Sequence, residues 1–533
     1  MFISILHVGG DAEAQTINLH RVTTTPEQSI NLHPCISGDG RTLAFESSFD
    51  LINLRAAKSF QVITATTESD APPRFFHVAN TRALAPTLSQ DGKKLAFASK
   101  DDPLGSNPDG NSEIFYFDGQ VLRQLTHTRP GSIVSRVVDG NFDPSMSDDG
   151  KLLAFTSNRD LVTGSNADES FEVFVFNVDS LLFAQVTTAS AEVAFEHAKL
   201  SGDGQQLAFV RAIVSSGVAV DETRQLIYQE YPSGTMLFAR SGNNLSLQGG
   251  RSISDSNSKI VFSETDKNGI LQVHLYDHHQ RTTRQLTQLA GRKSSTFDVP
   301  PNPTISGDGT RVAFSTKRNV GSLKGDNSAE IYIYDIPAGE FITVTSAPAQ
   351  ASAEVTMSLS DDGTRIAFNF SRLLTEETVS APEFNDSSEI YVAEVAQSQR
   401  SSNDLLILNA ASQLAAPQTT FATGMIAVAR GAKLATNSQY AVAAASDGNQ
   451  RAFPKELSGT TVRINNRLTE IYYASPTHVT FYIPPDESSG ERSVVITNAD
   501  GYETSGMMMI EPSSSGDIHT ERRRSRRGIE YRE

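Results

Sequence analysis

The sequence contains no tryptophan and a single cysteine, Cys35, among 533 residues. One cysteine excludes an internal disulfide framework and any multi-cysteine metal site, and it leaves the redox compartment open. The lack of tryptophan argues against a sialidase Asp-box, a motif that ends on that residue. No apolar run approaches the eighteen or so residues that a helix needs to cross a bilayer. Positive charge is also in short supply. The 45 Lys and Arg residues face 62 Asp and Glu, and the formal net charge of -17 should repel nucleic acid and anionic membranes. There is no Gly-x-Ser-x-Gly nucleophile elbow, so fusion to an α/β-hydrolase is excluded. His-Glu-x-x-His, P-loop and dinucleotide fingerprints are missing as well.

What is present is a repeat. The runs ISGDGRTLAF from Ile36, LSQDGKKLAF from Leu88, MSDDGKLLAF from Met146, LSGDGQQLAF from Leu200, ISGDGTRVAF from Ile305 and LSDDGTRIAF from Leu359 share one pattern. A degenerate copy, ISDSNSKIVF, starts at Ile253. Their serines, Ser37, Ser89, Ser147, Ser201, Ser254, Ser306 and Ser360, are spaced 52, 58, 54, 53, 52 and 54 residues apart. Each copy reads as a hairpin in which an apolar strand end meets a tight turn. In that turn Asp bonds its own backbone and Gly takes positive φ, and a Leu-Ala-Phe strand follows.

A third strand follows in most units, as EIFYFD from Glu113, EVFVFN from Glu172, QVHLYD from Gln272, EIYIYD from Glu330 and EIYVAE from Glu389. A fourth ends in phrases such as RQLTHT from Arg123 and RQLTQL from Arg284. Four antiparallel strands per fifty-odd residues make a propeller blade. The last unit lacks its fourth phrase, but INLHRVTTT from Ile17 supplies one ahead of the first unit. The expected fold is therefore all-β: a seven-bladed β-propeller over residues 15–397, closed by its N-terminal strand.

These runs resemble the TolB-like, WD40-like propeller family, whose signature is Pro-x-x-Ser-x-Asp-Gly followed by an Ala-Phe strand. Pro34, Pro86, Pro144 and Pro303 match its proline. The resemblance implies the fold and leaves the role open, because such propellers host many functions. It departs from TolB itself in showing seven signatures and no sizeable preceding domain, so the Tol partners are not carried over.

Residues 398–408 are polar and read as a linker. Alternating segments then run over residues 409–511, including TTVRINN from Thr460 and YYASPTHVTFYIP from Tyr472 to Pro484. They predict a small β-sandwich and resemble an uncharacterised Ig-like (IPT/TIG-like) C-terminal domain of acidobacterial secreted proteins. That resemblance implies an extracytoplasmic address and no chemistry. Residues 1–14 read as a signal remnant or leader, with Ala12-Glu13-Ala14 in the form of a cleavage site, or as an ordinary cytoplasmic start. Residues 512–533 read as a disordered, Arg-rich tail.

The loops before the third strand collect short oxygen-bearing side chains. The candidate binding residues are Asn107, Asp109, Glu113, Asn166, Asp168, Glu172, Asp326, Asn327, Glu330, Asn385, Asp386 and Glu389. Successive blades should present them on one face. They could hold calcium, which favours clustered oxygen ligands, or could simply cap turns; no other cofactor is expected. His274 and His278 are expected on the surface, too far apart along one strand to share a metal. Cys35 is expected as a small strand residue.

Two functional readings follow. One is a non-catalytic binding or scaffold protein of the bacterial envelope or exterior, whose loops contact a protein or a cell-envelope glycan. The other is an enzyme acting on a polysaccharide or peptide through carboxylates paired in the propeller channel. If the N-terminus is a cytoplasmic start, the binding role moves inside the cell.

Overall fold

The signature turns fold as local chemistry dictates. In the computed structural model, Ser37 Oγ donates to Asp39 Oδ1 at 2.6 Å, and the Asp39 carboxylate accepts the Arg41 amide at 3.0 Å. The Thr42 amide closes the turn on Ser37 Oγ at 3.0 Å. Gly40 takes φ 72°, which a side chain would resist. The same serine–aspartate bond recurs at Ser89, Ser147, Ser201, Ser306 and Ser360. The phenylalanines that follow, Phe45, Phe97, Phe155, Phe209, Phe262, Phe314 and Phe368, are all buried. The turn therefore sets the register, and the Leu-Ala-Phe strand delivers the core.

The structure describes most of residues 17–511 together with Ser4–Leu6. The longer stretches outside the description are 7–16, 68–72, 132–138, 291–299, 324–328, 347–354, 375–387, 397–400, 412–419, 446–450 and 512–533. Breaks of one to three residues account for the remainder. The possible cleavage site at residues 12–14 and the Arg-rich tail thus lie outside the described residues. All the named regular elements are β-strands.

The chain divides into two compact units, Met1–Ser398 and Gln399–Glu533. In the first, the described strands form six antiparallel sheets that carry the seven signature turns. The widest has eight strands and holds the turns at both Ser201 and Ser254. It arises where the strand Met236–Ser246 pairs onward with Lys259–Thr265. The N-terminal strand Ile17–Arg21 pairs with Ser388–Val395, so the first residues of the unit complete its last sheet.

Neighbouring turns are bonded to one another. The amides of Asp39, Gln90 and Asp148 donate to the carbonyls of Gln90, Asp148 and Gly202 at 2.8–3.0 Å. Those of Asp255, Asp308 and Asp361 donate to Gly307, Asp361 and Gly38 at 2.8–2.9 Å. The last of these bonds returns to the first repeat, so six of the seven neighbouring pairs of turns are linked, while the Ser201 and Ser254 turns share the eight-stranded sheet.

A recurrent clamp holds five of these six sheets at the other end. Glu172 accepts from Thr187 Oγ1 at 2.5 Å and from the Ala189 amide at 2.7 Å. Glu330 accepts from Thr345 in the same way, and Gln272 replaces the glutamate in the degenerate repeat by accepting from Thr287 and the Leu289 amide. Glu389 clamps the N-terminal segment, accepting from Thr23 Oγ1 at 2.5 Å, the Thr25 amide at 2.9 Å and Arg21 at 2.8 Å.

The second unit has a seven-stranded and a five-stranded sheet around one core that includes Ile407, Val462, Ile471, Phe481, Val494 and Ile510. Ser401–Ser402 and Leu406–Asn409, of which all but Asn409 were read from sequence as linker, are paired into these two sheets.

Candidate functional site

The innermost strands of the first unit line a cavity of about 290 Å³. Every lining residue falls between the fourth position before a signature serine and the first after it, and the repeats contribute unequally: the sixth gives Asn302 alone, and the position after the serine reaches the cavity at Asp148 and Gly202.

The slot after the serine reads Gly38, Gln90, Asp148, Gly202, Asp255, Gly307 and Asp361 around the ring. Aspartate and glycine alternate, and Gln90 takes the odd place that an odd number of repeats requires. The glycines are there for space. A Cβ at Gly38 would collide with Asp361, one at Gly202 with Asp255 and Asp148, and one at Gly307 with Asp255 and Arg251. Oxygens of Asp148, Asp255 and Asp361 lie within 4.8 Å of one another.

Arg251 enters this cluster from the degenerate repeat, at the place that Pro34, Pro86, Pro144 and Pro303 hold elsewhere. Its guanidinium lies 2.5 Å from Asp255, 2.7 Å from Asp361 and 3.4 Å from Asp148. Burial works against its charge, but the three carboxylates outweigh burial and raise its pKa. Burial, reinforced by its two neighbouring carboxylates and only partly opposed by Arg251, pushes Asp255 up to about 7. Asp148 is raised for the same reasons, burial first. The residues present would suit a cation, and Arg251 already supplies one.

Toward the other end, the inner strands carry β-bulges, with register shifts after Leu32, Phe142 and Glu196. His33, Asp143 and His197 sit in these bulges with φ of 52°, 53° and 55°, and Asn302 at the matching place has φ 40°. A bulge re-aims its side chain, and all four residues line the cavity. His197 Nδ1 lies 3.2 Å from Asp143 and His33 Nδ1 lies 3.1 Å from Glu46. Burial opposes ionisation of Asp143, but the hydrogen bond and charge of His197, with the charge of Lys199, hold its pKa below the ordinary value. Lys199 also lines the cavity. Burial lowers its pKa against the pull of Asp143 and Cys35. Cys35 lines the cavity too, and burial pushes its thiol up, away from the reactive thiolate.

The loop residues proposed from sequence fall into three groups. Glu113, Glu172, Glu330 and Glu389 are buried; the last three are the clamps described above, and Glu113 likewise accepts from the Thr128 amide at 2.7 Å. Asn107 and Asn166 are also buried and spend their amides on loop carbonyls, Asn107 on Asn111 and Asn166 on Ser170, each at 2.9 Å. Asp109 and Asp168 are exposed. Asp326, Asn327, Asn385 and Asp386 lie outside the described residues. The expectation for His274 is corrected, because it is buried and stacked on Phe262 with ring centroids 5.4 Å apart.

The residues that line the channel were not picked out from sequence. Their signal was the alternating slot after each serine and the Arg251 that replaces a proline.

The sheet order and the bonds that link successive turns and join the last repeat to the first define the first unit as a β-propeller. No protein-family model and no curated relative matches this sequence. Among solved structures, the chain is similar to the β-propeller domain of the Trilobed protease from Pyrococcus furiosus. The identity is 12%, with 65% of this chain and 91% of that one covered, at a TM-score of 0.40. It is similar to oligogalacturonate lyase from Vibrio parahaemolyticus at 14% identity, covering 69% and 98%, with a TM-score of 0.37. TolB from Acinetobacter baumannii matches at 14% identity over 69% and 80%, with a TM-score of 0.30.

Proposed function

We infer that this chain is a non-catalytic binding protein of the bacterial envelope or exterior. In this reading the first unit is a seven-bladed propeller, the eight-stranded sheet counting as two blades, and the second is an Ig-like spacer or adhesion module. The ligand enters the propeller channel from the face that carries the loops before the third strands. The observation that carries the reading is the cavity of about 290 Å³, lined by Asp148 and by the Arg251 that occupies the neighbouring carboxylate cluster. Exposed Asp109 and Asp168 extend the contact surface. A calcium ion held by them would raise the melting temperature on addition of millimolar calcium. The extracytoplasmic address rests on the resemblance of the C-terminal segment. No helix among the described residues is long and apolar enough to cross a membrane.

A second reading, an enzyme with paired channel carboxylates, draws support from Asp255, an acid titrating near neutrality. Against it, a substrate bond cannot pass between carboxylates that Arg251 bridges at 2.5–3.4 Å. The discriminating experiment incubates the protein with cell-wall peptides and oligosaccharides and analyses what is retained. Retention with recovery of unaltered molecules supports binding; time-dependent cleavage overturns it.

A further inference from the structure

One buried polar group in the channel stands without a partner. Asn302 is 6% exposed, lines the cavity and takes φ 40°. Its carboxamide can donate two hydrogen bonds and accept two, yet it makes none with the described residues. Buried amides are normally satisfied, so this one marks a place that a ligand's polar group fits.

Asn302 belongs to a set. His33, Asp143, His197 and Asn302 each lie four residues before a signature serine, and all four hold positive φ and line the cavity. Strain of this kind gathers at ligand clamps. Both histidines commit Nδ1 to a carboxylate, His33 to Glu46 at 3.1 Å and His197 to Asp143 at 3.2 Å. In the neutral ring that nitrogen carries the proton, which leaves Nε2 as an acceptor. The second oxygen of Asp143 accepts as well. The set therefore offers more acceptors than donors, and a ligand that fills it must bring donors.

Charge decides which donors. Among the described lining residues the acids are Asp143 and Asp148 and the bases Lys199 and Arg251. Arg251 lies 3.4 Å from Asp148, and Asp143 and Lys199 each favour the charged form of the other. With acids and bases so matched, a net ion of either sign would enter without a counter-charge. Hydroxyl groups are neutral, and each is both donor and acceptor.

The cavity of about 290 Å³ stands at the small end of ligand pockets. It equals roughly ten waters at ~30 Å³ each, which is room for one sugar ring. The described lining residues include no aromatic side chain, so a ring here is held by its hydroxyls rather than by stacking.

Resting on the binding-protein reading, we propose that the channel binds a single neutral polyhydroxyl ring, a hexose that is free or at the end of a glycan. Its hydroxyls donate to the two histidines and Asp143 and accept from the carboxamide of Asn302.

The test is calorimetric titration of the full chain with D-glucose, D-galactose and D-mannose, each beside its uronate and its 2-amino-2-deoxy counterpart. At least one neutral sugar should bind, and its two charged counterparts should bind at least tenfold more weakly. The methyl glycoside of the sugar that binds separates the two sources. Retained affinity assigns the end of a glycan and lost affinity the free sugar, and either agrees with the proposal. Asn302→Gly, which suits the positive φ, should weaken binding at least tenfold, because the hydroxyl it served is left unpaired. The exposed-site variant Gln120→Ala should not. Binding of none of the three sugars, charged counterparts that bind as tightly, or an unchanged Asn302→Gly protein would overturn the proposal. The comparison of sugars on the unmodified protein stands even if Asn302→Gly fails to fold. Retention of some other unaltered molecule from an extract, with no sugar binding, would sink this inference and leave the binding-protein reading standing.

Discussion

The guanidinium of Arg251 lies 2.7 Å from a carboxylate oxygen of Asp361, a residue whose own amide donates to Gly38 at 2.8 Å and so links the last repeat to the first. One side chain from the degenerate repeat therefore ties together turns that are far apart in sequence. Removing it leaves three carboxylates crowded without a counter-charge. Arg251→Met should cost about 1–3 kcal/mol, less than for a fully buried pair because solvent reaches this part-buried cluster. Urea unfolding of the isolated protein measures it; a loss under about 1 kcal/mol would mean that the cluster contributes little.

The glycine slots make a complementary prediction. Gly202→Ala should destabilise by about 1–3 kcal/mol, because its Cβ would collide with Asp255. Asp255→Ala in the same chain should relieve most of that cost. A double-mutant cycle reads the coupling directly, and additive effects would argue against the contact.

Protonation of Asp255 gives a pH dependence of definite sign. Its pKa is raised to about 7 in the folded protein, against about 3.9 when unfolded. Between these values the folded state binds more protons, so this residue's contribution to stability falls as pH rises from about 4 to 7. Asp255→Asn, which mimics the protonated acid, should gain in melting temperature relative to the parent at pH 8, by roughly 2–4 °C if the gain is ~1 kcal/mol. The gap should shrink at pH 5. An equal difference at both pH values would refute the assignment.

Ring closure rests on Glu389 and its bonds to Thr23, Thr25 and Arg21. Glu389→Ala should release the N-terminal strand at a cost of at least about 3 kcal/mol. Hydrogen exchange over Ile17–Arg21 should then accelerate well before that of the other strands. Uniform acceleration across the propeller would show that the strand is not a separate clasp.

Much of this architecture is legible in the sequence because hairpin chemistry is local. Ser37, Asp39 and Gly40 announce their turn within four residues, and the closing strand is visible as a fourth phrase displaced to the N-terminus. The loop glutamates illustrate the opposite case. Glu172 looks like a candidate ligand until its partner Thr187, fifteen residues on, is seen to fill it. The recurrence of a threonine at that distance from Gln272 and Glu330 was the available sign. The channel cluster left only an indirect trace, the alternating slot after each serine and Arg251 in place of a proline, because folding brings Asp148, Asp255 and Asp361 together across repeats that sequence order keeps apart.

The central claim, that the propeller channel is a ligand pocket, is tested most directly by filling it. Thr87 lines the cavity, and Thr87→Phe would occupy much of its volume. Both proteins would be incubated with an envelope extract, washed, denatured, and their bound small molecules analysed by mass spectrometry. The account predicts one or more polar molecules retained by the parent and lost from Thr87→Phe at similar melting temperature. Identical retention by the two proteins would contradict it.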